Sequence, residues 1–174
     1  MPASLCPHVY CGRAATLRQR LLKKLVIIYH SKTGNTKAMV DAVARGASDP
    51  QISGVECRVL RAAEAQPEDL LHADGLILAT PENFGYMSGA LKDFFDRSFY
   101  EVEGKLPPLP YAIVINAGND GSGAQRSIER IANGYPLIQV QAPIIAHGFP
   151  DQATLERCAE LGGALAAGIE LNMF

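Results

Sequence analysis

No apolar run in the chain approaches the roughly 20 residues needed to span a bilayer; runs such as residues 25–29 and 76–79 fall far short. No secretory leader with an apolar h-region is expected. Catalytic and metal signatures are scarce as well: the sequence holds no Ser-His-Asp motif, no H-E-x-x-H and no paired-cysteine metal site. Acid is missing from residues 1–24, which carry Arg13, Arg18, Arg20, Lys23 and Lys24. The rest of the chain therefore has 11 basic and 18 acidic residues, a net of −7. A mildly acidic body lacks the basic stripe that nucleic-acid binding needs. The four cysteines, Cys6, Cys11, Cys57 and Cys158, form no paired framework, so a reducing cytoplasmic setting is expected. Eleven prolines and 16 glycines follow no repeat, which excludes collagen-like and low-complexity architectures.

What is present is one domain's worth of chain. At 174 residues, 48% apolar and 20% charged, the composition suits a single globular domain with a proper core. Residues 1–24 read as a separate basic extension and 25–174 as the folded unit. An organellar transit peptide, a start codon set too far upstream and a tail all fit the extension, and residues 16–24 have the pattern of a short helix. Cys6, His8 and Cys11 offer three metal ligands with no fourth nearby, short of a structural zinc set. No metal site is expected.

From Leu25 onward, short apolar runs alternate with helical periodicities. Strands are expected over 25–30, 55–60, 75–80 and 111–116, with a fifth inside 137–146 whose Pro143 marks an edge or bulge. Between them lie helices marked by Met39, Val40, Val43 and Ala47, by a short piece at 67–72, by Leu91, Phe94, Phe95 and Phe99, and by Ala124, Ile128 and Ile131. Leu155, Cys158, Gly162, Leu165, Ala166 and Ile169 mark the closing helix. Residues 81–88 read as a loop. Such alternation gives an α/β fold, a parallel sheet with helices on both faces. A ligand then sits beyond the carboxyl ends of the strands.

Three loops leave those ends with unusual residues. The first is Ser31-Lys32-Thr33-Gly34-Asn35-Thr36. It opens directly into a helix, whose free N–H groups and dipole favour a phosphate. A simple helix cap needs one hydroxyl, not three with an amide and a glycine. The loop has neither the Walker A spacing nor the G-x-G-x-x-G of dinucleotide folds, so a terminal phosphate suits it better than a diphosphate. The second loop carries Pro81, Glu82, Asn83, Phe84, Gly85 and Tyr86. Phe84 and Tyr86 are either core aromatics at a helix entry or flat faces for a ring system, and Glu82 a charged rim residue. The third, from Asn116, carries Ala117, Gly118, Asn119, Asp120, Gly121, Ser122 and Gly123. Asp120 is expected to face solvent or a helix N-terminus. His147 and His30 read as ordinary strand-end residues. Cys57 and Cys158 read as apolar or half-buried structural positions rather than reactive thiolates.

On the first loop, the chain resembles the flavodoxin family. The run from Thr80 to Gly89 and its continuation Ala90-Leu91-Lys92-Asp93-Phe94-Phe95-Asp96-Arg97 resemble the NAD(P)H-dependent FMN reductase and NAD(P)H:quinone oxidoreductase branch. The resemblance implies a flavodoxin-like five-stranded parallel sheet in the order 2-1-3-4-5, with FMN as cofactor. It places the FMN phosphate on Ser31, Lys32, Thr33, Gly34, Asn35 and Thr36. The ring falls against Pro81, Glu82, Asn83, Phe84, Gly85 and Tyr86, and its other edge against Ala117, Gly118, Asn119 and Gly121. Some relatives carry a His in this third loop; here the polar residues are Asn119 and Asp120, and no catalytic residue is assigned. The implied reaction is transfer from NAD(P)H to a quinone, free flavin or similar small acceptor. NADH and NADPH stay open, since no ribose-recognition motif is visible. A one-electron carrier and a non-catalytic flavin-binding module are the alternatives. Carriers are expected to be strongly acidic around the ring; here the second loop holds one acid. The short segment between Arg61 and Ala73 gives no support to a tetramer, which leaves a homodimer as the default.

Overall fold

A computed structural model of the chain describes residues 22–174. Strand β1 (Lys23–Tyr29) is followed by α1 (Asn35–Ala47), β2 (Val55–Arg61), the short α2 (Pro67–Leu71), β3 (Gly75–Asn83) and β4 (Tyr86–Met87). Then come α3 (Gly89–Val102), β5 (Leu109–Ala117), α4 (Ser122–Ala132), β6 (Leu137–Gln139), β7 (Ile144–His147) and α5 (Gln152–Glu170). The central sheet is parallel in the order β2-β1-β3-β5-β6, with β7 also on β5 and β4 antiparallel to β3.

β6 and β7 are two pieces of one strand position, so the main strands follow the expected order 2-1-3-4-5. Tyr111 pairs with Gln139 and Val114 with Ile144, which leaves two surplus residues between the pieces. Pro143 sits in that bulge, where its missing N–H costs no ladder bond.

The sheet has a core on each face because successive side chains alternate. Val26, Ile28, Leu76, Leu78, Ile113 and Ile115 pack with Leu70, Leu91, Phe94, Phe95 and Ile128. Leu25, Ile27, Tyr29, Ile77, Ala79 and Val114 pack with Met39, Val40, Val43, Cys158, Leu165 and Ile169. Thus α2, α3 and α4 cover one face and α1 and α5 the other. The last two meet backbone to backbone: a Cβ on Gly46 would lie 1.8 Å from the Ala159 carbonyl oxygen, and one on Gly162 would lie 2.0 Å from that of Val43.

The chain departs from the sequence expectation at three places. The C-terminal end of the helix expected over 16–24 is strand instead, since Lys23 and Lys24 pair with Val55 and Glu56 as the first rungs of β1. Residues 1–21, with Cys6, His8 and Cys11, lie outside the described residues. The expected loop 81–88 is a hairpin, and the fifth strand is broken in two. Among the described residues, no helix is long and apolar enough to cross a membrane, and no three His, Cys, Asp or Glu side chains form a group able to hold a metal.

Candidate functional site

The register of the parallel strands brings four chain segments to one end of the sheet. Tyr29 is level with Ala79, Pro81 with Asn116, and Ala117 with His147. Residues 30–36, the β3–β4 hairpin, residues 118–121 and residues 148–151 therefore emerge side by side.

The first segment is shaped by its own serine. Ser31 Oγ accepts from the amides of Gly34 and Lys37, both at 3.2 Å. Those two bonds use the oxygen's lone pairs and leave its O–H free to donate. Gly34, at φ 98°, holds the left-handed turn that opens α1, with open space where a Cβ would stand; conformation, not crowding, requires glycine there. No hydrogen bond within the described residues engages the amides of Thr33, Asn35 or Thr36. Lys32, Thr33 and Gly34 are exposed, and Thr36 is buried. Free amides at a helix start, beside a free hydroxyl and Lys32, are donors that could hold a phosphate.

Asn35 is partly committed elsewhere. Its Nδ2 donates to the Gly148 carbonyl at 3.1 Å, and buried Asn116 Nδ2 donates to the same oxygen at 2.6 Å. One carbonyl thus ties the first segment to the third and fourth. Gly148, at φ 64°, and the exposed Phe149 beside it form a wall that the sequence reading did not include. A backbone acceptor leaves no side-chain signature, so only the His-Gly pair at a strand end hinted at it.

The second segment is rigid at its base and strained at its tip. Ser88 N donates to Thr80 Oγ1, and Met87 N to Ser127 Oγ. Phe84 and Gly85 have φ of 52° and 69°, as a tight type I′ hairpin requires. A left-handed phenylalanine costs about 1–2 kcal/mol, yet its ring is fully exposed, and Tyr86 is also exposed. Neither is a core aromatic. Asn83 is half-buried at the end of β3. The Gly85 carbonyl packs so closely on α4 that a Cβ on Gly123 would stand 2.0 Å from it.

Glu82 is not a loose rim charge. Its carboxylate accepts from the amides of Gly121, Gly123 and Ala124 at 3.1–3.3 Å and so caps α4 from the hairpin. Asp120 takes the neighbouring amide and hydroxyl of Ser122, which hold its carboxyl below the usual range. Both acids near the site are thereby committed to α4. Gly118 and Asn119 are exposed, and Gly121 adopts φ 72° against Ile145.

His30, adjoining Ser31, has a buried Nδ1 with no partner. Burial, then the charges of Arg61 and Lys32, push its pKa down. His147 is exposed at the end of β7. Cys57 lies on β2 and Cys158 on α5, and burial pushes both thiols up to about 11, far from a reactive thiolate.

The model of the NADPH-dependent FMN reductase family matches residues 61–147, half of the chain. That span holds the hairpin and the third segment; the phosphate cradle precedes it. A flavodoxin from Aquifex aeolicus is 37% identical over 100 residues, covering 58% of this chain and 53% of that protein. An NAD(P)H dehydrogenase (quinone) from Acidithiobacillus ferrooxidans is 32% identical over 128 residues, covering 62% and 63%. The chain thus matches between half and two thirds of the length of these two relatives. A solved archaeal flavodoxin superposes with a TM-score of 0.72 at 21% identity, covering 84% of this chain and 99% of that one.

Proposed function

Because this chain belongs to the NADPH-dependent FMN reductase family, we propose that it is an FMN-dependent oxidoreductase drawing electrons from a reduced nicotinamide and delivering them to a quinone, free flavin or similar small acceptor. The observation that carries the reading is the pairing of two features at one end of the sheet. One is a helix start with uncommitted amides at Thr33, Asn35 and Thr36. The other is a strained hairpin that holds the Phe84 ring in solvent. The first suits a terminal phosphate and the second a flat ring system.

When bound, FMN supplies the chemistry of accepting a hydride and passing electrons on. The chain's part is to hold and shield. The amides of Thr33, Asn35 and Thr36, the Ser31 hydroxyl and Lys32 bind the phosphate. Asn83 and the peptide at Gly85 offer hydrogen bonds to ring edges, Phe84 offers a face, and the segments at 117–121 and 148–149 close the opposite side. No acid–base pair is needed for such a transfer.

A one-electron carrier is the second reading, favoured by the 37% identity to a flavodoxin. Rim charge weighs against it. The β3–β4 hairpin holds one acid, Glu82, whereas a carrier steering toward basic partners needs a strongly acidic rim.

The purified protein should carry an FMN absorbance spectrum and oxidise a reduced nicotinamide with a quinone, with ping-pong kinetics because donor and acceptor alternate at one face. A protein that binds FMN, accepts electrons from dithionite in separate one-electron steps and shows no nicotinamide turnover would be a carrier. Tight FAD binding without FMN binding would overturn the cofactor.

A further inference from the structure

The wall at Gly148 and Phe149 is anchored at its ends and loose between them. Gly148 N donates to the Ala117 carbonyl at 3.0 Å. Pro150 is buried, and Asp151 caps α5 by accepting from Thr154 N at 2.8 Å. Between these anchors Gly148 is left-handed, with open space where a Cβ would stand, and the Phe149 ring is 80% exposed. The peptide that carries Phe149 is fixed through the Gly148 carbonyl, whose two donors differ in kind. Asn116 is buried at the end of β5 and donates at 2.6 Å, an anchor built into the sheet. Asn35 opens α1, is half-buried and donates at 3.1 Å across an exposed contact. Such a bond is weak in net terms and breaks and re-forms readily, because water offers the same partners. Asn35 thus has two duties. Its side chain ties the wall, and its backbone amide, with no acceptor among the described residues, is one of the donors available to a phosphate.

We propose that Asn35 is a specificity residue through which the site senses a flavin's phosphate twice: directly, on the backbone amides, and again by fixing the Phe149 wall beside the ring. The assignment rests on the FMN reading above. A phosphate on the amides of Thr33, Asn35 and Thr36 orders the start of α1 and holds Asn35 where its Nδ2 meets the Gly148 carbonyl. The wall has two states, tied to Asn35 and released from it. Phosphate favours the tied state because that state presents an ordered set of donors. The ring favours it because Phe149 is then fixed. Two ligands that favour one state strengthen each other by the same factor. A phosphorylated flavin is thereby preferred over an unphosphorylated one by more than the phosphate's own contacts supply.

The test uses the full chain freed of flavin, with riboflavin and inorganic phosphate as separate probes for the two ends of the site. Saturating phosphate should tighten riboflavin, followed by quenching of its fluorescence, by about fivefold or more; riboflavin should tighten phosphate by the same factor in titration calorimetry. Asn35→Ala keeps every backbone amide and puts a good helix former at the start of α1. Phosphate should still bind this variant, while the coupling factor falls to about one. The chain has no tryptophan, so Phe149→Trp places a single reporter on the wall. Its fluorescence anisotropy should rise on adding phosphate alone, and should stay unchanged in Phe149→Trp/Asn35→Ala. A thermal melt of each variant reports that it is folded. Independent binding of the two probes by the unaltered chain, or full coupling in Asn35→Ala, overturns the role of Asn35 and leaves FMN binding standing. Failure of the folded chain to bind FMN at all overturns both. Asn35-dependent coupling without any nicotinamide oxidation by the FMN-loaded protein sustains the role and overturns the oxidoreductase reading.

Discussion

Phe84 combines a backbone that disfavours it with a ring that no described residue covers. Strain of this kind persists where function retains it. Phe84→Asn installs the Asn-Gly pair that a type I′ turn prefers. It should raise the stability of the cofactor-free protein by about 1 kcal/mol and weaken flavin binding or turnover. A urea titration beside an FMN titration measures both, and loss of stability would remove strain from the account. His30 gives a pH signature. Its folded pKa is depressed, first by burial and then by Arg61 and Lys32. The neutral form is therefore favoured in the fold, and its share of stability is present above the unfolded value of about 6.5 and lost as pH falls below it. His30→Asn should flatten the decline in the urea midpoint between pH 7 and 5; an equally steep decline would exonerate the histidine. At this scale the sequence was partly legible. Hydroxyls, amide and glycine in six positions pointed to a turn opening a helix with Gly34 left-handed, but the destination of Asn35 Nδ2 is a backbone oxygen 113 residues away.

Among the elements, the buried strands were readable because they are continuous apolar runs, and the helices because their spacing places Met39, Val40 and Val43, or Leu91, Phe94 and Phe95, on one face. The hairpin was not. Thr80 to Asn83 shows no alternation, and Phe-Gly is not a sequence that signals a type I′ turn. The capping by Glu82 was hidden for a related reason: its partners lie 39 to 42 residues onward. The α1–α5 contact makes a sharp prediction. Gly162→Ala drives a methyl into the Val43 carbonyl and should cost about 1–3 kcal/mol, lowering the thermal midpoint by roughly 2–10 °C. At Gly163 a Cβ would stand 3.4 Å from the Gly46 carbonyl. Gly163→Ala should be neutral, or stabilising by up to about 1 kcal/mol through helix propensity. Equal effects of the two substitutions in a melting experiment would contradict the packing.

For the molecule as a whole, alternation of strand and helix was enough to reach a doubly covered parallel sheet, while the expected boundary after residue 24 falls inside β1, which begins at Lys23. Two lysines opening an apolar run look like the end of a basic segment, yet Lys23 pairs in β1 and its Nζ donates to the Ile169 carbonyl. A chain shortened to begin at Leu22 should keep its melting midpoint and its flavin, whereas one beginning at Leu25 should melt lower. Equal midpoints would deny Lys23 and Lys24 any share in the sheet. The Gly148 carbonyl, loaded by two asparagine donors from distant parts of the chain, acts as a built-in vibrational gauge. A doubly hydrogen-bonded C=O absorbs at lower infrared frequency than a singly bonded one. Carbon-13 placed at that one position would show, without any added dye, whether the cradle and the far wall stay clasped or part when a ligand arrives.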